Sequence, residues 1–250
     1  MLTLGIDLAA ADVRTATAVL RWSDQGAAVV ALQVGVSDDQ LVEAIQAADK
    51  AGLDCPLGWP AKFVTFLVAQ QAGQLAADAD GASWRRELAY RLTDQVVRAE
   101  AGLNPLSVSA DRIAYAAFRC ASLLARLAER GEPVDRDGSG VAVEVYPAAA
   151  LRRWGLTHRG YKTPGQRVGH GFLLNELTKA APWLDLGPFE QRCRTSHDAF
   201  DAVIAALAAR AAALGHVLLP DAAQRETART EGWIALPTCG LNDLVQPTQP

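Results

Sequence analysis

Three carboxylates stand where apolar side chains would be expected. They are Asp7 in the run Leu4-Gly5-Ile6-Asp7-Leu8, Asp54 in Leu53-Asp54-Cys55, and Glu144 in Val143-Glu144-Val145-Tyr146. Burying an ionised carboxylate without a partner is costly, so each needs a partner or a cation. Several converging carboxylates repel one another. A divalent ion neutralises the group as a whole, and oxygen-only ligands select Mg²⁺ or Mn²⁺. Two more acids, Asp198 and Asp201, stand three residues apart in the apolar segment 197–214, on neighbouring lines of one helical face. Asp198 has a competing reading, because Thr195-Ser196-His197-Asp198 matches a capping box in which the acid bonds back to the cap backbone. Asp201 lies beyond the first turn and shares a face with Ile204, Ala205 and Ala208. A surface salt bridge is its lesser alternative.

The elements that must position these acids are legible from periodicity. Leu2, Leu4, Ile6 and Leu8 alternate with Thr3, Gly5, Asp7 and Ala9, the period of two of a strand. Residues 15–22 and 27–36 follow as two further strands, separated by Asp24-Gln25-Gly26. Ser37 or Asp38 caps a helix that runs to about Lys50, and residues 52–56 form a short fourth strand closed by Pro56 and Pro60. Three helical segments are predicted over 61–77, 83–101 and 109–129. A fifth strand over 141–146 ends at Pro147, and a mixed polar region extends to about Thr195. The helix over 197–214 comes next, then a short strand near 233–236 and a polar tail over about 238–250. This order predicts one α/β domain over 1–250. Its five-stranded mixed sheet has a three-strand antiparallel meander plus parallel strands, flanking helices and a helical insertion at about 61–131.

The chain has 250 residues, half of them apolar and 21% charged, which excludes disordered and collagen-like classes. A net charge of −4 argues against coating nucleic acid by bulk electrostatics, though it leaves room for a local basic groove. The N-terminus lacks a basic region and carries Asp7 in its apolar run, unlike a signal peptide. Asp201, Arg210 and His216 interrupt the longest apolar stretch, 199–219, which excludes a membrane helix there. Cys55, Cys120, Cys193 and Cys239 are far apart in sequence with no CxxC pair, as expected of reduced packing residues in a cytoplasmic protein. No GxxxxGK[ST] and no GxGxxG after a strand is present, so P-loop and Rossmann nucleotide sites are not expected.

Four blocks occur in a telling order: Gly5-Ile6-Asp7 opening the meander, Leu53-Asp54-Cys55-Pro56-Leu57-Gly58-Trp59-Pro60, Glu144-Val145-Tyr146-Pro147, and His197-Asp198-Ala199-Phe200-Asp201-Ala202. Together they resemble the family of predicted ribonuclease H-like nucleases catalogued as domain of unknown function 429. Tyr90-Arg91-Leu92-Thr93-Asp94, Tyr161-Lys162-Thr163-Pro164-Gly165 and Glu231-Gly232-Trp233-Ile234 resemble further blocks of it. The first-strand Asp and the D-x-x-D-A helix start are also similar to Holliday-junction resolvases of the RuvC kind. The resemblance implies a ribonuclease H-like fold and metal-dependent phosphodiester cleavage. In two-metal phosphoryl transfer the ions sit about 3.5–4 Å apart and need three or more carboxylates from different elements. On that pattern Asp7 bridges both ions, Asp54 and Asp201 each hold one side, and Glu144 or Asp198 completes the shell.

Substrate contacts are expected from the basic stretch Arg152, Arg153, His158, Arg159, Lys162 and Arg167, with Trp154 and Tyr161 available to stack on bases and a solvated loop and helix end as the equal alternative. Arg91 and Arg98 are further candidates for phosphate contacts, with an intramolecular pair between Asp94 and a neighbouring arginine as the equal alternative. The expected partner is therefore a nucleic acid of open type. The oligomeric state is open too, a dimer being what a junction resolvase would need. A non-catalytic binding or scaffold protein of the same fold is the runner-up. A sugar-kinase or actin-like phosphotransferase is less favoured, because Leu8-Ala9-Ala10-Ala11-Asp12 replaces the Gly/Thr-rich phosphate turn.

Overall fold

A computed structural model describes residues 1–76, 79–160 and 170–245, the side chain of His170 excepted. The chain runs β1 (Leu2–Asp7), β2 (Ala16–Ser23), β3 (Gly26–Val34), α1 (Asp38–Gln46), β4 (Lys50–Asp54), α2 (Ala61–Gln71), α3 (Gly81–Ala89), α4 (Leu92–Ala101) and α5 (Ala114–Glu129). It continues through β5 (Ala142–Glu144), α6 (Pro147–Arg153), α7 (His170–Ala180), β6 (Leu184–Asp185), α8 (Glu190–Thr195), α9 (His197–Ala213) and α10 (Arg225–Glu231).

Among the described residues the sheet is mixed and six-stranded, in the order β5-β4-β1-β2-β3-β6. β1, β2 and β3 form the antiparallel meander, while β4 pairs parallel with β1, and β5 parallel with β4. The expectation of five strands is one short. β6, two residues inside the region read as merely polar, pairs parallel with β3 through Ala27 and Leu184. So short a strand carries no periodicity. The strand expected near 233–236 reduces to an isolated bridge between Glu144 and Ile234.

Period two in the strands builds two separate cores. Leu4, Ile6, Ala51 and Leu53 face α1 and α5, packing with Leu41, Ile45, Leu123 and Leu127. The other face is covered by α9, with α7 and α8 beside it. α9 is buried on nearly every side, which its run of alanines allows. Gly5 and Gly52, register partners on β1 and β4, lie beneath it. A Cβ on Gly5 would stand 1.9 Å from the Ala202 carbonyl oxygen, and one on Gly52 2.6 Å from that of Ala205. Only glycine admits the helix this close.

Several helix boundaries differ from the periodic reading, α2 ending at Gln71 and α5 beginning at Ala114 among them. α1 begins under the expected Ser37 cap, with the reciprocal Gln40 bond, but ends at Gln46 because Lys50 already belongs to β4. The helix expected over 83–101 breaks at Tyr90-Arg91, where Arg91 takes an extended backbone and its N–H donates to Asp94 Oδ2 at 2.9 Å. The polar tail also contributes a 3₁₀ turn, Leu241–Val245, that buries Leu241 and Leu244. Among the described residues no helix is long and apolar enough to cross a membrane.

Candidate metal centre

Asp7 ends β1 and Asp54 ends β4, opposite one another in parallel register. Both follow the glycine two residues earlier onto the face that α9 covers. Asp201 sits one turn into α9, wholly buried, on the segment that rests on those glycines. One carboxylate oxygen from each of Asp7, Asp54 and Asp201 lies within 4.8 Å of the others. Three elements distant in sequence thus deliver three hard oxygen donors to one point, a set that fits Mg²⁺ or Mn²⁺.

Glu144 and Asp198 are not brought into this group. Both Glu144 oxygens meet the buried Arg91 guanidinium in a bidentate pair at 2.7 Å each, and Oε2 also accepts the Leu57 N–H at 3.0 Å. Burial pushes the Glu144 carboxyl up, against the pull of Arg91. Asp198 instead pairs with Arg14 at 3.1 Å and with His197 Nδ1 at 2.6 Å. The hydrogen bond to Asp198, with Asp7 adding to it, raises the Arg14 pKa. The capping box expected of Thr195-Ser196-His197-Asp198 is not formed, because the cap falls one residue later, on Ser196. Ser196 accepts the Ala199 N–H at 3.2 Å as a cap should, while the acid is turned to Arg14 and His197.

Arg91, read as a phosphate contact, is 2% exposed and has the intramolecular role that was its alternative. It grips Asp94 through Nη2 at 2.9 Å and Nε at 3.2 Å, as well as Glu144. The two carboxylates outweigh the lowering effect of burial and raise its pKa. Arg153 donates to the Pro237 carbonyl at 2.9 Å. Arg159 lines a cleft of about 450 Å³ that also takes in Asp7, Asp54, Tyr146 and His158. Lys162 and Arg167 lie outside the described residues, as does Tyr161.

Sequence reasoning missed Arg112, Leu106 and Ile113, which line the cleft from the start of α5 and the loop before it. It named Glu231 only within a resembling block and missed its role: the carboxylate accepts the Ala61 N–H at 2.8 Å and the Leu92 N–H at 2.7 Å, closing the starts of α2 and α4 together. No local pattern marks a residue that caps helices so far away in the chain. All four cysteines are free. Cys55 and Cys120, distant in sequence, are hydrogen-bonded neighbours, and burial is the chief reason the Cys55 thiol is pushed well up.

A family model described as "protein of unknown function (DUF429)" matches residues 5–225. The chain belongs to the DUF429 family. The DUF429 match takes in Asp7, Asp54, Glu144 and Asp201 and stops short of Glu231. Neither a curated protein nor a solved structure matches the sequence.

Proposed function

We propose that this protein is a divalent-metal-dependent nuclease with a ribonuclease H-like fold, hydrolysing phosphodiester bonds in nucleic acid. The observation that carries the reading is the convergence of Asp7, Asp54 and Asp201 within 4.8 Å at the edge of a cleft. The fold proposal is supported by the antiparallel meander, with parallel β4 and β5 continuing the sheet beyond β1 and α9 laid across them. Asp7, Asp54 and Asp201 would hold Mg²⁺ or Mn²⁺. Bound there, the metal supplies Lewis-acid activation of water and charge stabilisation for the leaving oxygen. The chain's own part is to fix the three acids on two strand ends and a buried helix, so that little reorganisation accompanies binding. Arg112 and Arg159, which line the same cleft, would hold the phosphate backbone.

The test is Mn²⁺ uptake followed by electron paramagnetic resonance in the wild type, Asp7→Asn and Asp201→Asn. It is paired with Mn²⁺-dependent cleavage of single-stranded, hybrid and branched nucleic acids. Uptake and cleavage both lost in the two variants, with circular dichroism unchanged, is the expected result. Undiminished uptake in Asp7→Asn, or cleavage that persists there, overturns the reading. Saturable binding of nucleic acid by a wild type that takes up no metal would mark a scaffold instead.

A further inference from the structure

Beside the cleft, three aromatic rings form a continuous row. The Trp59 and Phe118 centroids are 5.7 Å apart with planes 20° from parallel, and Tyr115 meets Phe118 edge-on at 6.3 Å. Tyr115 is 72% exposed and Phe118 58%, so two large rings stand in solvent. Single exposed apolar residues are ordinary, but rings stacked on one another and left open are not. The row is attached to the two segments that wall the cleft. Trp59 belongs to the loop that leaves Asp54 through Cys55 and Pro56, both cleft residues. Tyr115 and Phe118 share the first turns of α5 with Ala116, a cleft residue preceded by Arg112 and Ile113.

We propose that this row is a stacking platform for unpaired bases, making the substrate a single-stranded or locally unpaired nucleic acid; the inference rests on the nuclease reading above. Stacking is sequence-tolerant because every base has a π face, but that face is hidden in a duplex. The charge pattern fits the same occupant. Arg112 and Arg159 line the same cleft as Asp7 and Asp54, where a phosphate backbone would pass. The neighbouring helix α2 also exposes apolar residues, but Val64, Leu67 and Val68 are aliphatic, while its Phe63 and Phe66 are half-buried and pack on one another and, through Phe66, on Trp84.

The experiment is fluorescence anisotropy at one fixed salt concentration, with divalent metal chelated. The probes are a labelled oligothymidylate strand and a duplex of equal length, and the proteins are the wild type, Tyr115→Ala/Phe118→Ala and Tyr115→Phe. The strand should bind the wild type at least tenfold more tightly than the duplex. The double variant should lose about tenfold or more of the strand affinity, and Tyr115→Phe should retain it. Both substituted side chains are largely exposed, so the variants should unfold with the wild type. Equal affinity for strand and duplex, undiminished binding by the double variant, or no binding of either probe overturns the platform. Self-association abolished by the double variant, with oligonucleotide affinity unchanged, overturns it in favour of a second copy as occupant. Adding Mn²⁺ separates the two proposals. Strand binding that depends on the rings without cleavage keeps the platform and removes the nuclease. Cleavage indifferent to the rings does the reverse.

Discussion

Arg91 offers five N–H groups, and each has an acceptor within the protein: two on Glu144, two on Asp94 and the Glu231 carbonyl. A guanidinium so enclosed has none left for phosphate. Arg91→Met should therefore destabilise the fold by about 3–5 kcal/mol, because two buried carboxylates lose their cation, and urea unfolding would read the loss. A phosphate-binding role predicts the opposite pattern, weakened oligonucleotide binding with unfolding unchanged. Glu144 was conspicuous in sequence for the reason that Asp7 was, an acid among apolar neighbours. The inference that each needed a partner or a cation holds for Glu144, whose partner is Arg91. What sequence could not say is which kind, since Arg91 lies on a helix start remote from Glu144 in the chain. Glu144→Gln tests the distinction: stability should fall while Mn²⁺ affinity stays within about threefold, and a loss of Mn²⁺ uptake in folded protein would return Glu144 to the metal.

The same separation of legible from illegible holds for whole elements. β1 was readable because it alternates, β2 and β3 because Asp24-Gln25-Gly26 separates two strand-like runs, and α9 because its apolar run is long. β6 and the break before α4 were not, since two residues have no period and the break answers to Arg91 turning inward. The close seating of α9 was hidden as well. Gly5 and Gly52 look like weak points in their strands until the helix above them is known. Gly5→Ala would drive a methyl into the backbone of α9, so the helix must lift and carry Asp201 away from Asp7. The expected outcome is a fall in thermal stability together with at least a tenfold fall in Mn²⁺ affinity. Mn²⁺ affinity equal to wild type in folded Gly5→Ala would show that the seating of α9 does not set the carboxylate spacing.

At the scale of the molecule, the last elements in sequence tie down earlier ones. Glu231 accepts the first N–H of α2 and of α4, and the Ile234 N–H donates to Thr93 Oγ1 at 2.8 Å. Glu231→Ala removes both caps at once and should cost about 2 kcal/mol, at roughly 1 kcal/mol for each. Hydrogen exchange should quicken at the starts of α2 and α4 and leave β1 and β4 protected; uniform quickening would mean a global loss instead. The position of α9 has a further consequence during synthesis. Its residues, 197–213, are the lid on a sheet whose β1, β2 and β4 are complete by residue 54. At about 5–20 residues per second, the ribosome takes on the order of 10 s or more to supply that lid. Until then the glycine-floored face of the sheet, with Asp7 and Asp54 at its rim, stands uncovered. The nascent chain is thus most open to chaperone capture or aggregation in that interval, and the three acids meet only once α9 has been made.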